Sequence, residues 1–184
     1  MNQVVALVGM CGSGKSVCCE AFQARGWDRV YFGGVTMTEL EKRGLERNEA
    51  NERAVREELR RTYGPAAFAI LLKDVIREKL EKGNVCLDGL YSWSEYKVLK
   101  EELGDRLTVA AVVMDRAVRY ERISRRDVRP LTPEQALSRD VAEIENMEKG
   151  GPIAMADCFL MNDGTMEELT AKVNALIDRM EARA

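Results

Sequence analysis

Gly9-Met10-Cys11-Gly12-Ser13-Gly14-Lys15-Ser16 is a complete G-x-x-x-x-G-K-S loop, set between the apolar run Gln3-Val4-Val5-Ala6-Leu7-Val8 and a helical pattern from Val17 to Arg25. Each fixed residue type has a physical task. Glycines let successive backbone N–H groups curl round an anion, Lys15 can reach β- and γ-phosphates, and the Ser16 hydroxyl stands where a Mg²⁺ ligand is needed. The helix that follows turns the positive end of its dipole toward the same anion. The fixed positions would match by chance in roughly one protein of this length in a hundred or fewer, and strand, loop and helix stand in the order the chemistry requires. The octapeptide therefore predicts a nucleoside triphosphate site contacted by Gly12, Ser13, Gly14, Lys15, Ser16 and Val17.

Outward from the loop, the chain reads as one domain, 1–184, long enough to bury a real core. A net charge of −3 gives no general attraction to nucleic acid or to an anionic membrane, so any anion-binding surface must be local. No apolar run reaches the length of a bilayer span, and the N-terminus lacks the order of a signal peptide. A cytoplasmic protein, monomer or homodimer, is expected. The five cysteines are an odd number without C-x-x-C spacing, which indicates neither a zinc site nor a disulfide framework. Cys11 is singled out by its place inside the loop, beside Lys15. The absence of histidine removes imidazole acid–base chemistry and the Ser-His and Cys-His hydrolases together.

Strands alternate with helices along the rest of the chain. Arg29-Val30-Tyr31-Phe32 is a second strand ending at Gly33-Gly34. Helices follow from Thr36 to Arg43, from Asn48 to about Tyr63, and from the Gly64-Pro65 break to about Lys82. Asn84 to Asp88 is the third strand, Leu107 to Val113 the fourth and Asp157 to Asn162 the fifth. Helices are predicted over Ser92 to Leu103, Asp115 to Arg126, Pro133 to about Met147, and Thr165 to Arg183. Five buried-type strands joined by right-handed helical crossovers make an α/β fold, a three-layer, doubly wound, five-stranded parallel sheet. Two segments stand out from it: a helical region at 36–82 to hold an acceptor, and an arginine-rich lid at 116–150.

Ligands gather at the carboxyl ends of such strands. Strand one delivers the loop, and strand three delivers Asp88, placed to hold Mg²⁺ or to take a proton, or else simply to cap the next turn. Strand five ends in Asn162-Asp163-Gly164-Thr165, either a turn and cap or a border for a nucleotide base. Between Asp115 and Arg139 stand seven arginines, Arg116, Arg119, Arg122, Arg125, Arg126, Arg129 and Arg139, with no lysine. Guanidinium forks suit phosphate oxygens, and the segment reads as a mobile clamp in which Arg122 and Arg126 act with Lys15 and Asp88. The plain alternative is a solvated face paired to Glu121 and Asp127. No N-K-x-D base-reading motif occurs, which disfavours a guanine-nucleotide switch.

In these residues the chain resembles the dephospho-CoA kinase and adenylate kinase branch of the phosphate-loop kinases, and most of all the dephospho-CoA-kinase-like proteins best known from archaea. The similar stretches are Val8 to Ser16, Glu41 to Glu46, Glu58 to Gly64, Leu87-Asp88-Gly89, Arg119 to Arg126, Ser138-Arg139-Asp140, and Ala156 through Gly164. The resemblance implies ATP and Mg²⁺ on Gly12, Gly14, Lys15 and Ser16, lid roles for Arg122, Arg126 and Arg139, and adenine against Asn162 to Gly164. It also implies a small nucleotide-like acceptor, dephospho-CoA or a nucleoside monophosphate, in a pocket bounded by Gly33, Thr36, Arg60, Tyr91 and Arg139. Two departures fall in that pocket. Gly33-Gly34 stands where dephospho-CoA kinases carry an aspartate base, and Tyr91 where the archaeal relatives tend to have arginine. A regulatory ATPase without an acceptor is the alternative from another class.

Overall fold

The computed structural model describes residues 1–127 and 130–182. Five parallel strands, β1 (Val4–Val8), β2 (Asp28–Tyr31), β3 (Val85–Asp88), β4 (Leu107–Val113) and β5 (Cys158–Met161), form one sheet in the order β2-β3-β1-β4-β5. β1 lies at the centre, with Val4 beside Val85 on one flank and beside Leu107 on the other. All five of its residues are buried, because a parallel strand between two helical layers has no solvent side.

The pleat divides β1 between two cores. Val5 and Leu7 point into a layer closed by α1 (Lys15–Ala24) and α9 (Met166–Glu181), where Cys18, Cys19, Phe22, Trp27 and Val173 pack. Val4, Ala6 and Val8 point the other way, into a larger core with Phe68, Ile76 and Leu80 of α4 (Ala67–Lys82) and Leu99 of α5 (Trp93–Leu103). α2 (Gly34–Lys42) and α3 (Glu49–Tyr63) extend that layer beyond the end of β2. α6 (Arg116–Ser124) and α7 (Pro133–Glu145) pack on each other and reach the phosphate loop.

The five-stranded parallel architecture is the one predicted, and the element boundaries fall within a few residues of the sequence reading. Two short pieces go beyond it: a 3₁₀ turn at Gly104–Arg106 and the helix α8 (Gly150–Ala154). The helix α6 ends at Ser124, so Arg126 lies past its C-terminus rather than inside the helix predicted over Asp115 to Arg126. Among the described residues no helix is long and apolar enough to cross a membrane.

Candidate active site

The loop from Gly9 to Lys15 has a backbone curl of the shape that suits an anion. Gly12 and Gly14 adopt φ of 80° and 101°, which side-chain-bearing residues rarely do. A Cβ on Gly12 would strike Ile123 of α6, and one on Gly14 would strike the Asn162 amide, so the loop is packed from outside as closely as it is curled inside. Helix α1 starts at Lys15 with no side-chain cap, whereas Asn48, Ser92, Asp115, Thr132 and Thr165 cap α3, α5, α6, α7 and α9. Its first amides, which like those of α2 and α4 carry no side-chain cap, are open at the loop. The Ser13 hydroxyl is buried in the loop without a hydrogen-bond partner.

Lys15 lies folded onto the loop, its Nζ donating to the carbonyls of Gly9 at 2.9 Å and Met10 at 3.0 Å. Burial is the main cause that lowers its pKa to about 8, and the Lys149 ammonium pushes the same way. A phosphate would supply the negative charge this ammonium lacks.

Three struts hold the loop in shape. Asn162, buried at the end of β5, donates its Nδ2 to the Ser13 carbonyl at 2.9 Å. Arg119 of α6 donates to the Cys11 carbonyl at 2.9 Å while forking onto Asp140 of α7 at 2.9 and 2.5 Å. From α7, Glu143 accepts the Cys11 N–H through Oε2 at 3.1 Å.

A cavity of about 770 Å³, a size suited to a nucleotide-like ligand, is also lined by Glu143. It contains every residue predicted for the acceptor, Gly33, Thr36, Arg60, Tyr91 and Arg139. The Thr36 hydroxyl on its wall is 1 % exposed and has no partner. Arg60 rests its guanidinium 5.0 Å from the Phe68 ring centre and makes no ion pair among the described residues. Burial lowers its pKa against the opposing charge of Glu95. On the side nearest the loop stand Glu143 and Lys149, paired at 2.7 Å and both almost wholly buried, with the ammonium 5.2 Å over the Tyr91 ring. Burial works to raise the Glu143 pKa, but the charge and hydrogen bond of Lys149 hold it below the ordinary glutamate range.

The remaining predicted residues fall as follows. Asp88 ends β3 and is ion-paired through Oδ2 with Arg29 of β2. Ser16 and Val17 lie in the first turn of α1. Arg122 is engaged with the β5–α9 turn, donating to the carbonyls of Asn162 at 2.7 Å and Gly164 at 2.6 Å. Arg126 is exposed, 3.9 Å from the Cys11 sulfur. Arg125 pairs with Glu121 at 2.8 Å, as the solvated-face reading expects. Arg129 lies outside the described residues. The sequence reading missed Glu143, Lys149 and Asp140 as parts of the site. A buried role for them was signalled only by the charged run Arg139-Asp140 with Glu143 one turn on.

Comparison with known proteins places this geometry in context. The chain is 36% identical over 181 residues to the UPF0200 protein of Thermococcus gammatolerans, covering 96% of this chain and 95% of that one. It is 33% identical over 183 residues to the UPF0200 protein of Thermococcus onnurineus, covering 97% and 98%. Among solved structures it is similar to a shikimate kinase from Bacteroides thetaiotaomicron, with TM-score 0.61, 15% identity and coverage of 96% and 98%. It is also similar to a dephospho-CoA kinase from Campylobacter jejuni, with TM-score 0.57, 14% identity and 97% of each chain covered. These likenesses show the fold of phosphate-loop kinases. No profile of a known family matches the chain.

Proposed function

The chain belongs to the UPF0200 family of archaeal proteins, and from that membership together with its kinase fold we propose that it is an ATP- and Mg²⁺-dependent kinase acting on a small nucleotide-like acceptor. Dephospho-CoA is the first candidate acceptor and a nucleoside monophosphate the second. One observation carries the reading: a curled phosphate-type loop is joined through Glu143 to a cavity of about 770 Å³, whose wall holds a buried hydroxyl without a partner and, among the described residues, a guanidinium without an ion pair. The donor half is supported by the glycine-built curl, the open amides of α1 and the orphan Ser13 hydroxyl, all of which fit a polyphosphate.

In this reading Lys15 leaves the Gly9 and Met10 carbonyls for the β- and γ-phosphate oxygens. Ser16 would offer its hydroxyl to Mg²⁺, and Asp88, at the end of the neighbouring strand, would add a carboxylate on the same side. Among the described residues no group of three or more acidic or cysteine side chains could hold a metal alone, so the ion would arrive with its nucleotide. Bound there, it would neutralise charge developing on the phosphate oxygens. Asn162 and Gly164 border the base, and Arg126 and Arg139 close over the transferred group. Five free thiols accord with work in a reducing cytoplasm.

Lys15→Ala, titrated with ATP, is the primary test: unchanged affinity and turnover would sink the assignment. Incubation of the protein with γ-labelled ATP and dephospho-CoA, AMP or a nucleoside then identifies the acceptor. The glycines after β2 favour a second reading, a regulatory ATPase without an acceptor. It would release only free labelled phosphate.

A further inference from the structure

Phosphoryl transfer to a hydroxyl needs somewhere to put the hydroxyl's proton, and the end of β2, where the resembling kinases keep an acid, holds Gly33-Gly34. Among the described residues three carboxylates line the cavity: Glu52, Glu134 and Glu143. Glu52 is held by Arg56 on its own helix at 3.2 Å, and Glu134 is exposed in the first turn of α7. Among the described residues Glu143 alone both lines the cavity and hydrogen-bonds the phosphate loop. It does so through the Cys11 N–H, which precedes the Gly12 to Ser16 amides. The carboxylate therefore stands at the rim of the phosphate cradle, between donor and acceptor, and not inside it where it would repel the phosphates.

We propose that Glu143 is the general base of this site and that Lys149 is the residue that holds it ionised and in place, a role that rests on the kinase reading above. As the acceptor oxygen forms its bond to the γ-phosphorus, its O–H bond breaks and the proton passes to Glu143. The bond from the γ-phosphorus to the β,γ-bridging oxygen breaks, and its electron pair leaves on ADP. The proton goes on to water as products depart. Lys149 makes the pair neutral, so a carboxylate can stand beside a triphosphate without repelling it. Arg139, at 3.5 Å from Oε1, and Lys15 are the other cations facing the group. The base thus comes from α7, next to the arginine-rich segment, and not from β2.

Glu143→Gln separates this role from that of a strut, since the amide oxygen still accepts from Cys11 and Lys149 but takes up no proton. The expected result is Mg²⁺-ADP affinity by calorimetry within about threefold of the unaltered protein and a melting temperature within about 3 °C, with label transfer from γ-labelled ATP to dephospho-CoA or AMP down about 100-fold or more. Transfer within about threefold of the unaltered protein would overturn the assignment. So would a loss matched by an equal weakening of ADP binding, which marks a strut. Lys149→Gln supplies a second readout. The acid limb of the transfer rate should move up by about one pH unit, because Glu143 loses its nearest cation; an unmoved limb counts against the proposal. If the unaltered protein labels no acceptor, the kinase reading falls and this role with it. If it labels one and Glu143→Gln labels it equally well, only the base assignment falls.

Discussion

Glu95 carries the clearest pH signature of any single residue in the molecule. It is 0 % exposed at the N-terminus of α5, where Oε2 accepts the N–H groups of Tyr91 at 2.9 Å and Ser92 at 3.1 Å while Oε1 has no partner. Burial raises its pKa from the ordinary 4.5 to about 7, against the pull of those amides, Arg60 and Lys149. Below pH 4.5 both folded and unfolded chains hold the proton and nothing is lost. Between 4.5 and 7 the unfolded chain releases it and the folded chain keeps it, so stability falls with rising pH, and above 7 the full penalty of roughly 3 kcal/mol remains. Glu95→Gln keeps the capping box and removes the ionisation. Its melting temperature should exceed that of the unaltered protein by several degrees at pH 8, with the gain vanishing near pH 4.5. Ser92 followed by Glu95 is readable from sequence as a cap, but the depth of the glutamate is not, because α5 is covered there by α4, an element elsewhere in the chain. The same holds for Arg60. Its grouping with Gly33, Thr36, Tyr91 and Arg139 was expected and one cavity holds all five, while its lack of an ion pair among the described residues emerges only once the fold sets it beside Phe68.

Helix α7 explains why part of the site was hidden at the level of elements. Ala136, Asp140 and Glu143 form its buried stripe, while Leu137, Val141 and Ile144, with the same spacing, are 49, 42 and 53 % exposed. A hydrophobic-face rule would turn the helix the other way round. The polar stripe is tolerated inside because each group is satisfied: Asp140 by Arg119 and the Tyr120 hydroxyl, Glu143 by Cys11 and Lys149. Most strands and long helices were legible from apolar runs and caps, whereas α8 was not, since Gly150-Gly151-Pro152 has no helical period and is held by packing under α5 and β4. The tie between α6 and α7 yields a prediction. Arg119→Ala strands a buried Asp140 and releases the Cys11 carbonyl, and should lower stability by about 3–5 kcal/mol in urea unfolding. The pair Arg119→Met with Asp140→Leu should recover most of that loss, because no charge is left buried alone.

For the whole molecule, the proposed nucleotide site would couple ligand binding to folding through the loop. At about 100 times its dissociation constant, Mg²⁺-ADP should add roughly 2.7 kcal/mol and raise the melting temperature by roughly 5–10 °C. Lys15→Ala should show no such shift in differential scanning calorimetry while melting near the unaltered protein without ligand. The topology adds a consequence in time. β1 and its loop are made before their partners: Val4 pairs with Val85 and Leu107, and the loop's struts come from residues as late as Asn162. The strand that matters most must therefore wait, apolar and unpaired, until most of the chain has been made. A chain ending before β4 lacks Leu107 beside β1 and Asn162 at the Ser13 carbonyl, so the proposed nucleotide site would take shape only once those later residues have been made.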